Sequence, residues 1–267
     1  MREGGAAEWR AREKGRAAAS YLSYSSCLDR RLAMKKESRN VLIVVAVFVL
    51  SIALISLIDS LVIVYYAHLM GSTLEDASIA TTKTVLIVNE LLLGSLAVFF
   101  FTKIFKRRLV ELGITTTRFA RNIVIGLLLG AGGWLVAVIV ATLLQRLIPF
   151  EVPEWFAKML TATSSPDLLY FVLITWILVG PCEELFFRGF VQETFTAWKG
   201  PFAGIMAGAI LFGLAHFSPL LWFRTIPSAL LGLIYGIAYA KRRSLVPVSV
   251  AHSLNDTIGF VLAYLAK

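Results

Sequence analysis

The sequence predicts an all-α fold, a polytopic bundle of about seven transmembrane helices, and three observations carry that prediction. Hydrophobic residues make up 58% of the 267 and charged residues only 16%, far from the roughly half-apolar, quarter-charged profile of soluble domains. Runs of about 20 apolar residues, the length a helix needs to cross the hydrocarbon, recur along the chain. The segments of about ten alternating residues that a membrane β-barrel would show are not visible.

Taken in order, residues 1–39 are rich in Arg, Ala, Ser and Glu without an apolar face, and read as a basic cytoplasmic segment, disordered or lying on anionic lipid. They lack the apolar stretch and small-residue cleavage site of a signal peptide, so the first span is expected to anchor the chain; Met34-Lys35-Lys36 offers an alternative start. Spans are expected near residues 41–66, 83–103, 119–145, 168–196, 202–217, 222–240 and 244–265. They group into an N-terminal helical unit, 40–147, and a unit over 165–266 that carries the chemistry. Gly126, Gly130, Gly132 and Gly133 in the third span, and Gly232 and Gly236 in the sixth, are small-residue spacings that let helix backbones approach closely. Cys27 and Cys182 are too few for a disulfide framework.

The net charge of +9 does not point to nucleic acid, because the cations flank the spans. Ten Lys/Arg lie between Arg2 and Arg39; Lys103, Lys106, Arg107, Arg108, Arg118 and Arg121 follow the second span, and Lys241, Arg242 and Arg243 the sixth. All fall on one side of a seven-span chain, while Glu75, Asp76, Glu151 and Glu154 fall on the other. The positive-inside bias then puts the N-terminus in the cytoplasm and the C-terminus outside. The expected partners are the bilayer and a peptide or protein substrate, with no nucleic acid; the oligomeric state is not legible.

Ionisable residues at membrane depth are costly and usually functional. Asp59 and His68 lie towards the outer end of the first span and read as an interhelical hydrogen bond or an interfacial site; Glu90, deeper in the second span beside Asn89, is a weak secondary candidate. The main signal is Glu183-Glu184 inside the apolar fourth span. Arg188 is four residues on, on the same helix face as Glu184 and in the favourable acid-before-base order, which leaves Glu183 without that partner and makes it the reactive candidate. Two of the three histidines are also intramembrane: His216 in the fifth span, and His252, followed by Asn255 and Asp256, in the seventh.

Depth joins these groups. Glu184 is 14 residues before Trp198 and His216 is 15 after Pro201, so both lie about 20 Å from the intervening turn. His252, nine residues past Arg243, is about 13 Å in, and Asp256 is one turn deeper on its face. The polar groups of three spans are thus expected in one cavity, opening to the cytoplasmic side. A carboxylate, two imidazoles and an Asn/Asp supply what amide hydrolysis by water needs: a base, a group to hold the water, and donors for the developing oxyanion. Neither a GxSxG elbow nor an HExxH helix is present, and no internal repeat supports a transporter.

Glu183-Glu184-x-x-x-Arg188, Phe212-x-x-x-His216 and His252-x-x-x-Asp256 resemble the three motifs (EExxxR, FxxxH, HxxxN/D) of the CAAX prenyl protease and bacteriocin-processing family (CPBP) of intramembrane peptidases, over roughly residues 165–265. The resemblance implies a cell-membrane endopeptidase acting on membrane-associated or prenylated CAAX-type peptides. Carried over by position, Glu183 activates water assisted by His216, Glu184 and Arg188 support it, and His252 and Asp256 bind the oxyanion or orient the site. An ionised Asp256 cannot donate to an oxyanion, so either it is protonated, or Asn255 donates in its place, or Asp256 orients His252. Alternatively Glu183, His216, His252 and Asp256 hold a divalent metal such as zinc; no local pair has a familiar zinc spacing, which favours a metal-free site. The same family contains non-catalytic members, so the alternative function is a self-immunity factor or scaffold whose polar cluster is structural.

Overall fold

The computed structural model describes the backbone of residues 3–267 and the side chains of residue 32 and residues 34–267. The expectation for residues 1–39, like that for Cys27, lies mostly outside the described side chains; Cys182 is a free, half-buried thiol.

The chain is helical throughout, without strands among the described residues. Helix α1 is Glu3–Met70, with its apolar part over Met34–Met70; α2 is Leu74–Phe99, extended by a π turn to Ile104; α3 is Phe119–Leu147; α4 is the short Glu154–Leu160; α5 is Ser165–Lys199; α6 is Pro201–Ala215; α7 is Trp222–Arg242; α8 is Val246–Leu265. Each expected span coincides with one of these helices. Five of them, α1, α2, α3, α5 and α7, are long and apolar enough to cross a membrane. The other two differ for identifiable reasons: α6 has only 15 residues, about 22 Å of rise against about 30 Å of hydrocarbon, and α8 carries His252, Asn255 and Asp256 in its middle.

Small residues set the tightest helix pairs. Gly126 and Gly130 of α3 lie against Pro247, Val250 and Ala251 of α8, Gly213 of α6 against Ala229 of α7, and Gly232 of α7 against Ala209 of α6; α3 with α8 and α6 with α7 are the most extensive contacts. Gly132, by contrast, faces open space. A dense aromatic core, with Phe48, Phe101, Phe105, Phe186, Phe187, Phe190 and Phe212, joins α1, α2, α5 and α6.

The two ends of the bundle are chemically distinct. At the basic end, Arg243 pairs with Glu193, Arg242 donates to Asn122 Oδ1 at 2.8 Å, and Arg107 meets Glu37 at 3.2 Å. At the opposite end Lys83 of α2 pairs with Asp167 of α5. The expected interhelical bond of the first span is present: Asn89 Nδ2 donates to Asp59 Oδ1 at 3.1 Å. His68 is exposed in the last turn of α1.

Candidate active site

The site is built on an irregular stretch of α5. Pro181 has no amide hydrogen to give, and its ring crowds the carbonyl four residues earlier. The helix accommodates it with a π turn over Thr175–Val179, one short α segment over Gly180–Glu184, and a second π stretch over Leu185–Gln192. Such π turns re-aim side chains and recur at functional sites. Here they bracket Glu183-Glu184, and Gly180 brings this stretch against Ser249 and Ser253 of α8.

Glu184 and Arg188 are both fully buried. Arg188 Nε donates to Glu184 Oε2 at 2.7 Å and Nη2 to Oε1 at 3.4 Å, while Nη1 reaches the carbonyl of Gly208 at 3.4 Å. A buried ion pair is stable only when its remaining donors and lone pairs are also used. Glu184 uses one on His252, whose Nδ1 donates to Oε1 at 3.0 Å. This fixes the ring, and its Nε2 turns to Glu183 Oε2 at 3.8 Å and Asp256 Oδ2 at 3.5 Å. The imidazole nearest Glu183 is therefore that of His252. Asn255 Nδ2 donates to Asp256 Oδ1 at 3.0 Å.

His216 stands apart from this chain of bonds. Its Nδ1 donates to the carbonyl of Phe212 at 2.8 Å, so in the neutral ring Nε2 is left as an acceptor. What ties it to the rest is the ring of Phe212, which packs on His216 at 4.7 Å, on His252 at 5.6 Å and under the Arg188 guanidinium at 5.0 Å. The motif phenylalanine is thus the common wall of the site.

Glu183, His216, His252, Asn255 and Asp256 line one cavity of about 730 Å³. Its other walls come from the amino-terminal half of α2 (Ser78 to Asn89), the carboxy-terminal half of α3 (Trp134 to Ala141), α4, Phe223 to Leu231, and Gly259 to Ala263. Every one of these lies at the end away from the basic loops, so the cavity opens there and not on the basic side as the sequence led us to expect. The reason lies in the same depth count: about 20 Å from the basic-end turn is two-thirds of the way across, and the short α6 ends at His216, leaving a recess.

Two residues carry more weight than the sequence gave them. Glu90 is only 3% exposed and lines a second cavity of about 150 Å³ with Glu183 and His216; its Oε2, like Glu183 Oε2, is buried without a hydrogen-bond partner. Arg224, at the start of α7, lines the large cavity. Glu90 was visible as an intramembrane acid, whereas nothing local marked Arg224. As for a metal, no group of three or more His, Cys, Asp or Glu side chains among the described residues is arranged to hold an ion. The set Glu183, His216, His252 and Asp256 does not fit one in this geometry.

Comparison with curated proteins and with solved structures gives no match. Residues 165–258 match the sequence model of the family described as type II CAAX prenyl endopeptidase Rce1-like, and those residues span Glu183, Glu184, Arg188, His216, His252, Asn255 and Asp256. Over this segment the chain is similar to the CAAX prenyl endopeptidase family, and five of its helices are long and apolar enough to cross a membrane.

Proposed function

We propose that this chain is an intramembrane endopeptidase in which protein side chains alone activate water. The observation that carries the reading is the directed chain Arg188, Glu184, His252, Glu183: a buried ion pair fixes one imidazole nitrogen and aims the other at a carboxylate oxygen that has no partner. A water held at Glu183 Oε2 gives a proton to that carboxylate as its oxygen bonds to the scissile carbonyl carbon. His216 Nε2 accepts a hydrogen bond from the water's other O–H, which keeps its proton, and so orients the water. The oxyanion meets His252 Nε2–H or the Asn255 amide, and Asp256 acts by orienting both. Glu183 then passes its proton to the leaving amine as the carbon–nitrogen bond breaks.

The substrate class is a peptide held at the membrane, the CAAX-type being the one to which the family's description points. With the basic loops in the cytoplasm, the N-terminus is cytoplasmic, the protein sits in the cell membrane, and the cavity faces the other side. Cleavage of fluorogenic peptides, prenylated CAAX peptides included, by purified wild type and Glu183→Gln tests the reading. Wild type is expected to cleave and Glu183→Gln, though folded, to lose at least about 100-fold in rate; a folded Glu183→Gln with wild-type activity overturns it.

A further inference from the structure

Glu183 and His216 belong to two cavities at once. Besides the large one they line the second, of about 150 Å³, enclosed chiefly by α1, α2 and α5. This smaller space is rich in acceptors and short of hydrogens. Glu90 Oε2, Glu183 Oε2 and Asn89 Oδ1 are buried acceptors without a partner, and the neutral His216 ring offers Nε2 as a fourth. The side-chain donors of the lining are spent elsewhere: the Ser51 hydroxyl on the Val47 carbonyl at 2.5 Å, the Asn89 amide on Asp59 at 3.1 Å, and His216 Nδ1 on the Phe212 carbonyl at 2.8 Å. Glu90 is 3% exposed, and a buried acceptor left unpaired is expensive.

A space lined by acceptors calls for an occupant made of donors, and water is the one that hydrolysis consumes. The volume of about 150 Å³ holds about five waters at the density of the liquid, and a buried water needs about two to four polar partners. The rest of the wall, with Phe48, Ile52, Leu93 and Phe186, is apolar, so waters gather on the side of the two acids. A peptide seated in the large cavity covers Glu183 from that direction, and leaves the small cavity as the source of water.

We propose that the small cavity is a water store: Glu90 holds a hydrogen-bonded group of waters against Glu183 and His216, from which the attacking water is drawn. The proposal rests on the peptidase reading above. Glu90 acts through these waters and is a positioning residue. The proton of the attacking water still goes to Glu183, and Glu90 ends each turnover unchanged.

The test measures kcat and KM for peptide cleavage by full-length wild type, Glu90→Leu, Glu90→Gln and Ser51→Leu. Ser51→Leu fills the cavity from the α1 wall, and Ser60→Leu, on the exposed face of the same helix, is the control that should keep the wild-type rate. Glu90→Leu and Ser51→Leu should each lower kcat about 10- to 100-fold with KM within about twofold. Glu90→Gln keeps a side-chain acceptor and should fall between. Glu90→Leu should nonetheless unfold at a higher temperature than wild type, because a slower but more stable protein marks a polar group kept for function; a structural Glu90 would lose stability and rate together. Folded Glu90→Leu and Ser51→Leu with wild-type kcat overturn the proposal, as does a loss confined to KM. A rate that rises with sodium against choline at equal ionic strength also overturns it, in favour of a cation between the acids. A density map of wild type is expected to show ordered waters between Glu90 and Glu183, and a map that shows water elsewhere in the bundle but none there overturns the proposal whatever the rates. Those waters without any cleavage by wild type leave the water site standing and remove the peptidase.

Discussion

Gly180→Ala should separate catalysis from folding, because it acts on the one crossing that brings the acids of α5 to the histidine of α8. A methyl at Gly180 would overlap Ser253 Oγ and lie 2.9 Å from the Ser249 carbonyl and 3.2 Å from the Ser253 amide. Ser253 cannot turn aside freely, since its hydroxyl donates to the Thr175 carbonyl at 3.0 Å, and the Ser249 carbonyl belongs to backbone. Ordinary contact begins at 3.4 Å, so the Ser249 carbonyl alone requires the helices to part by at least about 0.5 Å. The His252–Glu184 bond, 3.0 Å here, would stretch to about 3.5 Å, where a hydrogen bond is nearly lost. Overpacking of this kind costs about 1–3 kcal/mol, and misplacement on this scale about 10- to 100-fold in rate. Thermal unfolding and kcat/KM on one peptide, measured for Gly180→Ala and for Gly132→Ala, are the assay. Gly132 lies in the middle of α3, outside the cavity, with nothing within 4 Å of an added methyl, so that variant should hold its activity and gain about 0.5–1 kcal/mol. Activity of Gly180→Ala within twofold of wild type, with its stability lowered, would refute the argument that this crossing sets the site.

Three further outcomes are expected. Arg188→Met strands the fully buried Glu184 and should cost about 3–5 kcal/mol, seen as loss of folded protein in detergent, whereas Glu184→Met with Arg188→Met should recover most of that stability without any activity. Glu90→Leu removes a buried acid with an unpartnered oxygen and should raise the midpoint of thermal unfolding, by about 1–3 kcal/mol in stability; a lowered midpoint would show that Glu90 has a partner in the folded protein. Peptide cleavage should persist after dialysis against a strong chelator, since no group of three or more metal-ligating side chains among the described residues is arranged to hold an ion, and loss that zinc restores would assign a metal to Glu183, His216 and His252.

Much of the site could be read from the sequence because helix geometry is nearly invariant. A rise of about 1.5 Å per residue was enough to put Glu183, His216 and His252 in one cavity, and the i, i+4 rule placed Arg188 on Glu184. The pairing of Asp59 with Asn89 likewise follows from the cost of a lone acid at that depth. What could not be read depends on contacts between helices. That His252, rather than His216, is the ring next to Glu183 turns on χ angles and on the Phe212 wall. Arg224 looks in sequence like an ordinary flanking cation, and only the fold reveals that it lines the cavity. The direction of the opening was misjudged because topology by charge says which end is basic but not where a recess lies; the shortness of α6 decided it.

The π stretch over Leu185–Gln192 has a consequence for how this helix can change over evolutionary time. A π turn is an α-helix carrying one surplus residue, so losing a residue there would not break the helix but restore it to regular winding. The wider turn absorbs the roughly 100° that one more residue would otherwise add, so everything downstream would keep its face, Gln192 on the Gly236 carbonyl it now reaches at 2.9 Å and Glu193 on Arg243, while Glu183 and Glu184 stayed against α8. The same loss from a regular α stretch would turn one half of α5 away from its partners. A helix shorter by one residue within the π stretch could therefore keep both the reaction centre and the contacts of the basic end.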